Sequence, residues 1–142
     1  DVYKRQISEM TLFLNPLENS YERFGQNKAP LYISWSKENR SQLVRVPAAL
    51  GEYQRVELRS PDPSTNTYLA FALIIYAVLD GIRNKTELPA PADINLYRAD
   101  KDTLARFCQL PKDFKKACFL AANSSFIKKY IPDAILNIYC KQ

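Results

Sequence analysis

The sequence predicts an α+β fold, with a few antiparallel strands at one edge of a sheet and helices packed against them. Three observations predict it. Short apolar or alternating stretches recur between residues 31 and 60, separated by Asn, Gly and Pro. One long apolar run extends from Tyr68 to Leu79. The tail from Pro111 to Tyr139 places apolar residues at helical spacing. A chain of 142 residues is the size of one ordinary domain, and 46% hydrophobic residues provide enough apolar material for a core.

Taken in order, Ile7 to Leu14 reads as the tail of a helix, ended by Asn15-Pro16 because the residue before proline avoids the helical region. Glu18 to Lys28 is polar and turn-like, and reads as a loop. The strand candidates are Leu31 to Ser36, Leu43 to Val46 (stopped by Pro47) and Gln54 to Ser60 (stopped by Pro61), with antiparallel pairing expected. Asp62-Pro63-Ser64-Thr65 is a turn with helix-capping residues. A helix follows from about Thr67 to Arg83, apolar on every side and so expected to be buried, with Gly81 or Asn84 helping to close it. Leu88 to Asp93 reads as an extended surface crossing. Two or three short helices are expected in the tail, broken near Asn123 and Pro132.

Charge and cysteine content exclude several classes. The formal net charge of +5 leaves an anionic partner open, but the basic residues are scattered, so no nucleic-acid groove is expected. With no histidine and no Cys-x-x-Cys among Cys108, Cys118 and Cys140, a Cys/His zinc site is not expected. Three widely spaced cysteines read as reduced thiols in a cytoplasmic protein. The longest apolar run falls short of the ~20 residues that span a bilayer, so no membrane partner is expected.

The first six residues, Asp1-Val2-Tyr3-Lys4-Arg5-Gln6, stand apart. One codon spelling of them resembles the mosaic end of a transposon-based sequencing adaptor. They are read as translated adaptor, and residues 7–142 as a fragment of a longer protein.

The chemistry concentrates in Arg55-Val56-Glu57-Leu58-Arg59. In a strand, alternate side chains share a face, so Arg55, Glu57 and Arg59 lie on one side and Val56 and Leu58 on the other. Two explanations fit. One is a solvated sheet face with cross-strand ion pairs. The other is a polar cleft with one metal-binding carboxylate between two guanidiniums. Arg23, Arg40 and Arg45 lie at nearby strand entries or ends, and arginine suits bidentate recognition of phosphate and carboxylate. One Glu among five Arg suits an anionic substrate bound with a magnesium-bridged phosphate.

At these residues the chain resembles glutamine synthetase of the bacterial type I, in the C-terminal part of the catalytic domain. The resemblance is carried by Asn15-Pro16-Leu17-Glu18-Asn19-Ser20-Tyr21-Glu22-Arg23, by Ile33-Ser34-Trp35-Ser36 with Asn39-Arg40-Ser41 and Val44-Arg45-Val46-Pro47, and by Arg55 to Pro63 with Asn66-Thr67-Tyr68-Leu69. It continues through Leu79-Asp80-Gly81-Ile82 and Asn95-Leu96-Tyr97.

The resemblance implies an ATP-dependent ligase that joins ammonia to glutamate through a γ-glutamyl phosphate, with Mg²⁺ or Mn²⁺, in a ring-shaped homododecamer. By matching position, Arg23 holds the carboxylate end of glutamate, and Arg40 bridges glutamate and the transferred phosphoryl group. Arg45 and Arg55 contact ATP phosphates, Arg59 neutralises the reacting carboxylate, and Glu57 ligates the metal at the ATP phosphates. Tyr97 matches a tyrosine that some bacterial members adenylylate, but its flanks, Arg98-Ala99-Asp100, differ.

One departure bears on the chemistry. The family's mobile loop carries a Glu before Ala-Pro that takes a proton from ammonium. Here the loop reads Phe24-Gly25-Gln26-Asn27-Lys28-Ala29-Pro30, with Lys28 in that place. A charged Lys donates and cannot accept. Two alternatives follow: a relative that ligates glutamate to another amine, or a synthetase-like protein that binds nucleotide or glutamate without turnover. The family's other metal-binding glutamates and its histidine would lie upstream. The fragment alone is therefore expected to be inactive, to expose a sheet edge and an apolar face, and to aggregate.

Overall fold

The computed structural model describes residues 2–26 and 28–141. Asp1, which belongs to the proposed adaptor, Asn27 of the loop, and Gln142 lie outside the described residues. The fold is α+β, and the chain divides into two compact units. The first comprises residues 1–21, 61–88 and 111–142; the second comprises residues 22–60 and 89–110.

The first unit is helical and is built around α1 (Val2–Leu14). From Gln6 onward this helix is buried nearly all round: Leu12, Phe13 and Leu14 are fully enclosed, as is Asn15 beyond them. The expected helix over Ile7 to Leu14 is present and runs back to Val2. α2 (Thr67–Arg83) starts and ends where expected. Its Asn66 cap accepts from the amides of Tyr68 and Leu69, which satisfies two of the donors a helix start leaves unpaired.

Within this chain, however, α2 is not the buried helix its composition predicts. It buries Ala70 and Leu73, whereas Tyr68, Phe71, Ile75, Val78 and Ile82 are exposed. Those five fall at alternating steps of three and four, so they form one stripe along the helix.

The tail forms α4 (Phe114–Ala122), α5 (Ser125–Tyr130) and α6 (Asp133–Tyr139), with breaks at the expected places. Asp113 and Ser124 cap the first two through hydrogen bonds to the Lys116 and Ile127 amides. Phe114, Ala117 and Ala121 make the buried face of α4, and α4 packs against α1. Glu9 on α1 is buried, and its carboxylate accepts from the Ser124 hydroxyl at 2.6 Å, which meets the need of a buried charge for a donor. Phe13 and Tyr139 bring α1 against α6, with ring centroids 4.8 Å apart.

The second unit contains the sheet. β1 (Trp35–Ser36), β2 (Val44–Arg45) and β3 (Glu57–Leu58) lie in that order. β2 and β3 pair antiparallel, as expected, with Arg45 opposite Glu57. β1 and β2 pair parallel, which departs from the expected arrangement. The strands are also shorter than the stretches that predicted them. Leu31 to Ile33 pairs instead with residues 108–110, through Tyr32 opposite Gln109 and the Leu110 amide to the Leu31 carbonyl.

The stretch read as a loop from Glu18 carries a 3-10 helix over Glu18–Arg23. Leu88 to Asp93 forms neither helix nor strand, and the Ala92 amide donates to the Trp35 carbonyl. The short α3 (Lys101–Leu104) was not predicted; its cap, Asp100, accepts from the Thr103 amide and hydroxyl. Those two hydrogen bonds hold the Asp100 carboxyl below its usual range. Among the described residues no helix is long and apolar enough to cross a membrane.

Candidate functional site

Two clefts on the second unit are lined by candidate residues. The smaller, of about 310 Å³, is lined by Arg23, Lys28, Ala29, Glu57 and Arg59. Four of these five are candidate residues of the sequence reading, and three of the four are cationic. The end of the 3-10 helix, the loop after it and one strand bring them together.

β3 supplies Glu57, and Arg59 follows just past its end. Glu57 accepts from Arg45 Nε at 2.5 Å, and its other oxygen lies 3.7 Å from Arg59 Nε. The register opposite β2 explains the first contact, because Arg45 and Glu57 are direct cross-strand partners. Arg45 and Arg59 side chains are 17% and 12% exposed, whereas Glu57 is 42% exposed. The carboxylate is thus the accessible member, held at the rim by two largely covered guanidiniums. Both explanations of the alternating charges share this geometry: there are cross-strand ion pairs, and they border a cleft.

Arg59 is the residue that ties the site together. Its guanidinium donates to the carbonyls of Lys28 (3.1 Å), Gln42 (3.5 Å) and Arg40. Arg23 donates to the carbonyl of the buried Ser60 at 2.7 Å, and its guanidinium lies 5.9 Å from the Phe24 ring centroid. Both arginines are therefore aimed by backbone groups rather than left to sample rotamers.

Lys28 reaches the site on a tight loop. The Gly25 amide donates to the Ala29 carbonyl at 2.9 Å, and the Ala29 amide to the Gln26 carbonyl at 2.8 Å. Gly25 and Lys28 both sit in the left-handed region, at φ 78° and 67°. Glycine adopts it without strain and lysine does not. The Lys28 conformation presents its carbonyl to Arg59 and its side chain to solvent.

The larger cleft, of about 1520 Å³, runs along the β2–β3 connection. Pro47 to Leu50, Tyr53 and Arg55 line one side; Lys37, Asn39 and Asp93 also border it. Arg55 is exposed and donates to the Tyr53 carbonyl at 3.3 Å. Arg40 is exposed and lines neither of these two clefts, so the five arginines are not gathered into one pocket. Val56, expected to face the core, is 69% exposed, because β3 extends only over Glu57–Leu58 and the alternation does not reach back to it. Tyr97 lies near Arg59: burial pushes its phenol up while the guanidinium pulls the other way.

The sequence reading did not find the apolar wall of the larger cleft. Pro47-Ala48-Ala49-Leu50 has no charge and no periodicity, and only its position between two strands marks it as cleft-forming.

Taken together, a carboxylate and several guanidiniums stand at the edge of the sheet in an α+β chain. The model of the glutamine synthetase catalytic domain matches residues 3–142, and the chain belongs to that family.

Glutamine synthetase of Methanosarcina mazei is 42% identical over 138 residues, which is 95% of this chain and 31% of that protein. Glutamine synthetase of Thermotoga maritima is 58% identical over 84 residues, 58% of this chain and 19% of that protein. Among solved structures, the GmaS/ADP complex is similar with a TM-score of 0.83 at 28% identity, covering 99% of this chain and 33% of that one. The chain thus spans about a third or less of the relatives it matches.

Proposed function

We propose that this chain is part of an ATP-dependent glutamate–ammonia ligase and supplies its carboxylate- and phosphate-binding arginines. One observation carries the reading: Glu57 is held between Arg45 and Arg59 at a cleft that Arg23 and Lys28 also line. Family membership and the likeness to a nucleotide-bound structure support it.

In this reading Arg23 holds the far carboxylate of glutamate. Arg59 faces the reacting carboxylate, and Arg40 bridges toward the transferred phosphoryl group. Arg45 and Arg55 receive ATP phosphates, with the apolar wall beside Arg55 suited to the nucleoside. Arginine fits these tasks because its planar fork matches both oxyanions.

The donor set fits a divalent cation in part. Glu57 offers one hard oxygen, Oε1, which lies outside hydrogen-bond range of Arg59. Mg²⁺ takes one or two carboxylates and completes its shell with phosphate oxygens and water. When bound, the metal would neutralise phosphate charge during transfer. Among the described residues no group of three His, Cys, Asp or Glu is assembled, so the other protein ligands would come from outside this chain. For that reason the chain alone is proposed to bind without turnover, and the working protein to be a cytoplasmic homo-oligomer, a dodecamer as the resemblance implies.

Lys28 favours a second reading of the acceptor. With a charged donor in place of the family's loop Glu, Lys28 offers no acceptor for an ammonium proton, so the alternative is an amine acceptor other than ammonia, as in a γ-glutamyl-amine ligase.

The test is calorimetric titration of the chain with ADP and Mg²⁺. Saturable binding is expected, weakened about tenfold by Arg55→Ala, the equivalent of ~1.4 kcal/mol. Equal binding by the wild type and the variant would remove Arg55 from the nucleotide site. No binding by a chain with native circular dichroism would sink the nucleotide reading.

A further inference from the structure

The loop between β1 and β2 is fastened by its side chains to a distant stretch of chain. The Ile94 carbonyl accepts from Asn39 Nδ2 at 2.7 Å and from Gln42 Nε2 at 2.8 Å, which fills the two lone pairs of that oxygen. Ser41 Oγ lies 3.3 Å from the same carbonyl, but its single proton has a nearer acceptor in Asn39 Oδ1, at 2.9 Å. The Ser41 oxygen in turn accepts from the Leu96 amide at 2.9 Å and from Gln42 Nε2 at 3.3 Å. Asn39 Oδ1 also takes the Ser41 amide at 2.9 Å. The receiving stretch is itself fixed upstream. There Trp35 Nε1 donates to the Pro89 carbonyl at 2.7 Å, and the Ala92 amide to the Trp35 carbonyl at 2.8 Å. All of these residues belong to the sheet-containing unit.

Arg40 stands inside this clamp, with its side chain exposed. The side chains of Asn39, Ser41 and Gln42 grip residues 94–96, while the carbonyls of Arg40 and Gln42 accept from Arg59 Nη1. One short segment thus holds a strut with its side chains and a guanidinium with its backbone. Glu38, just before the clamp, has φ 140°, a conformation that a non-glycine residue keeps only where its surroundings enforce it.

Gln42 is the informative member. It is fully enclosed, and its Oε1 has no hydrogen-bond partner. A buried acceptor left unpaired costs stability. An apolar side chain of similar length would fill the space without that cost. What it would not supply is the Nε2 donor to Ile94.

We propose that Gln42 and Asn39 are positioning residues: by fastening to the Ile94 carbonyl they fix the backbone on which the Arg59 guanidinium is anchored and from which Arg40 projects. An oxyanion entering the cleft then meets a guanidinium already ordered, so less freedom is lost on binding. That benefit rests on Arg40 and Arg59 acting on ligand as proposed above; the clamp itself does not.

The experiment is modification of the full chain with phenylglyoxal, which reacts with accessible guanidiniums, in the absence of ligand and followed by peptide mapping. The rates at Arg59 and Arg23 are compared in the wild type, Gln42→Met and Asn39→Ala. Both arginines are anchored on backbone carbonyls of the same unit, so general loosening would speed both. Expected is a rise of about tenfold at Arg59 in each variant, with Arg23 unchanged. The urea midpoint of Gln42→Met should stay the same or rise, because the orphaned acceptor leaves with the amide. Should Gln42→Met fail to fold, Asn39→Ala decides alone. An unchanged Arg59 rate in a folded variant, or one that rises in step with Arg23, would overturn the proposal. Because no ligand is present, either result stands apart from the nucleotide titration that tests the ligase reading.

Discussion

Arg59 has five donors and directs its terminal nitrogens at three backbone carbonyls, those of Lys28, Arg40 and Gln42. A side chain anchored in this way presents its charge to the cleft at a fixed place. Cys118 offers a sharper test at the same scale. Its thiol is pushed from an ordinary 9.0 to about 12, first by burial and then by the hydrogen bond to Cys140. The sign follows from proton counting. Above pH 9 the unfolded chain gives up this proton while the folded chain keeps it, so the unfolded state binds fewer protons. Stability from this group is therefore complete below about pH 9 and falls as pH rises toward about 12. Urea midpoints at pH 8 and pH 10, under reductant, should drop more for the wild type than for Cys118→Ser. Parallel drops would mean that other groups, such as the buried Tyr21 phenol, govern the slope.

At the scale of elements, α2 shows what sequence conveys well. Asn66 before the helix and Asn84 after it are short polar residues suited to these positions, and the observed span agrees with the expected one. Asn66→Ala removes the acceptor for two amides and should lower the unfolding free energy by about 1 kcal/mol. A urea midpoint unchanged within error would show that the cap is dispensable.

The strands show what sequence conveys less well. Leu31 to Ser36 reads as one strand, yet its first half pairs with residues near Gln109 and its second half with β2. Local alternation records which face a residue takes, and carries no record of the distant partner. The candidate site divides the same way. Glu57 and Arg59 were legible because alternation within a strand puts charges on one face, and Arg45 because it lies at a nearby strand end. Lys28 was legible only through family resemblance, since a loop brings it in, while Arg23 stood out as an arginine near a strand entry and took a role only from the resemblance. The apolar wall from Pro47 to Leu50 left no pattern to read.

For the whole molecule the dominant feature is the exposed stripe on α2. Tyr68 is 86% exposed and Ile82 68%, with Phe71, Ile75 and Val78 between them. Such a stripe on a free chain favours self-association. Light scattering should rise steeply with concentration, and the double variant Phe71→Lys with Ile75→Lys should reduce it while leaving helix content unchanged. A monodisperse monomer of the unaltered chain would contradict this.

The alternation of the two units along the chain has a temporal consequence. Synthesis proceeds from the N-terminus, and every residue of the sheet-containing unit has been made once Leu110 is added. The helical unit, which begins first, must wait for its final segment. During that interval α1 has no α4 to cover it, although its Leu12, Phe13 and Leu14 are fully enclosed in the finished protein. Along this stretch α1 is thus made well before the helix that covers it, and a ribosome stalled between residues 14 and 114 would hold out an apolar helix to whatever chaperone stands nearest.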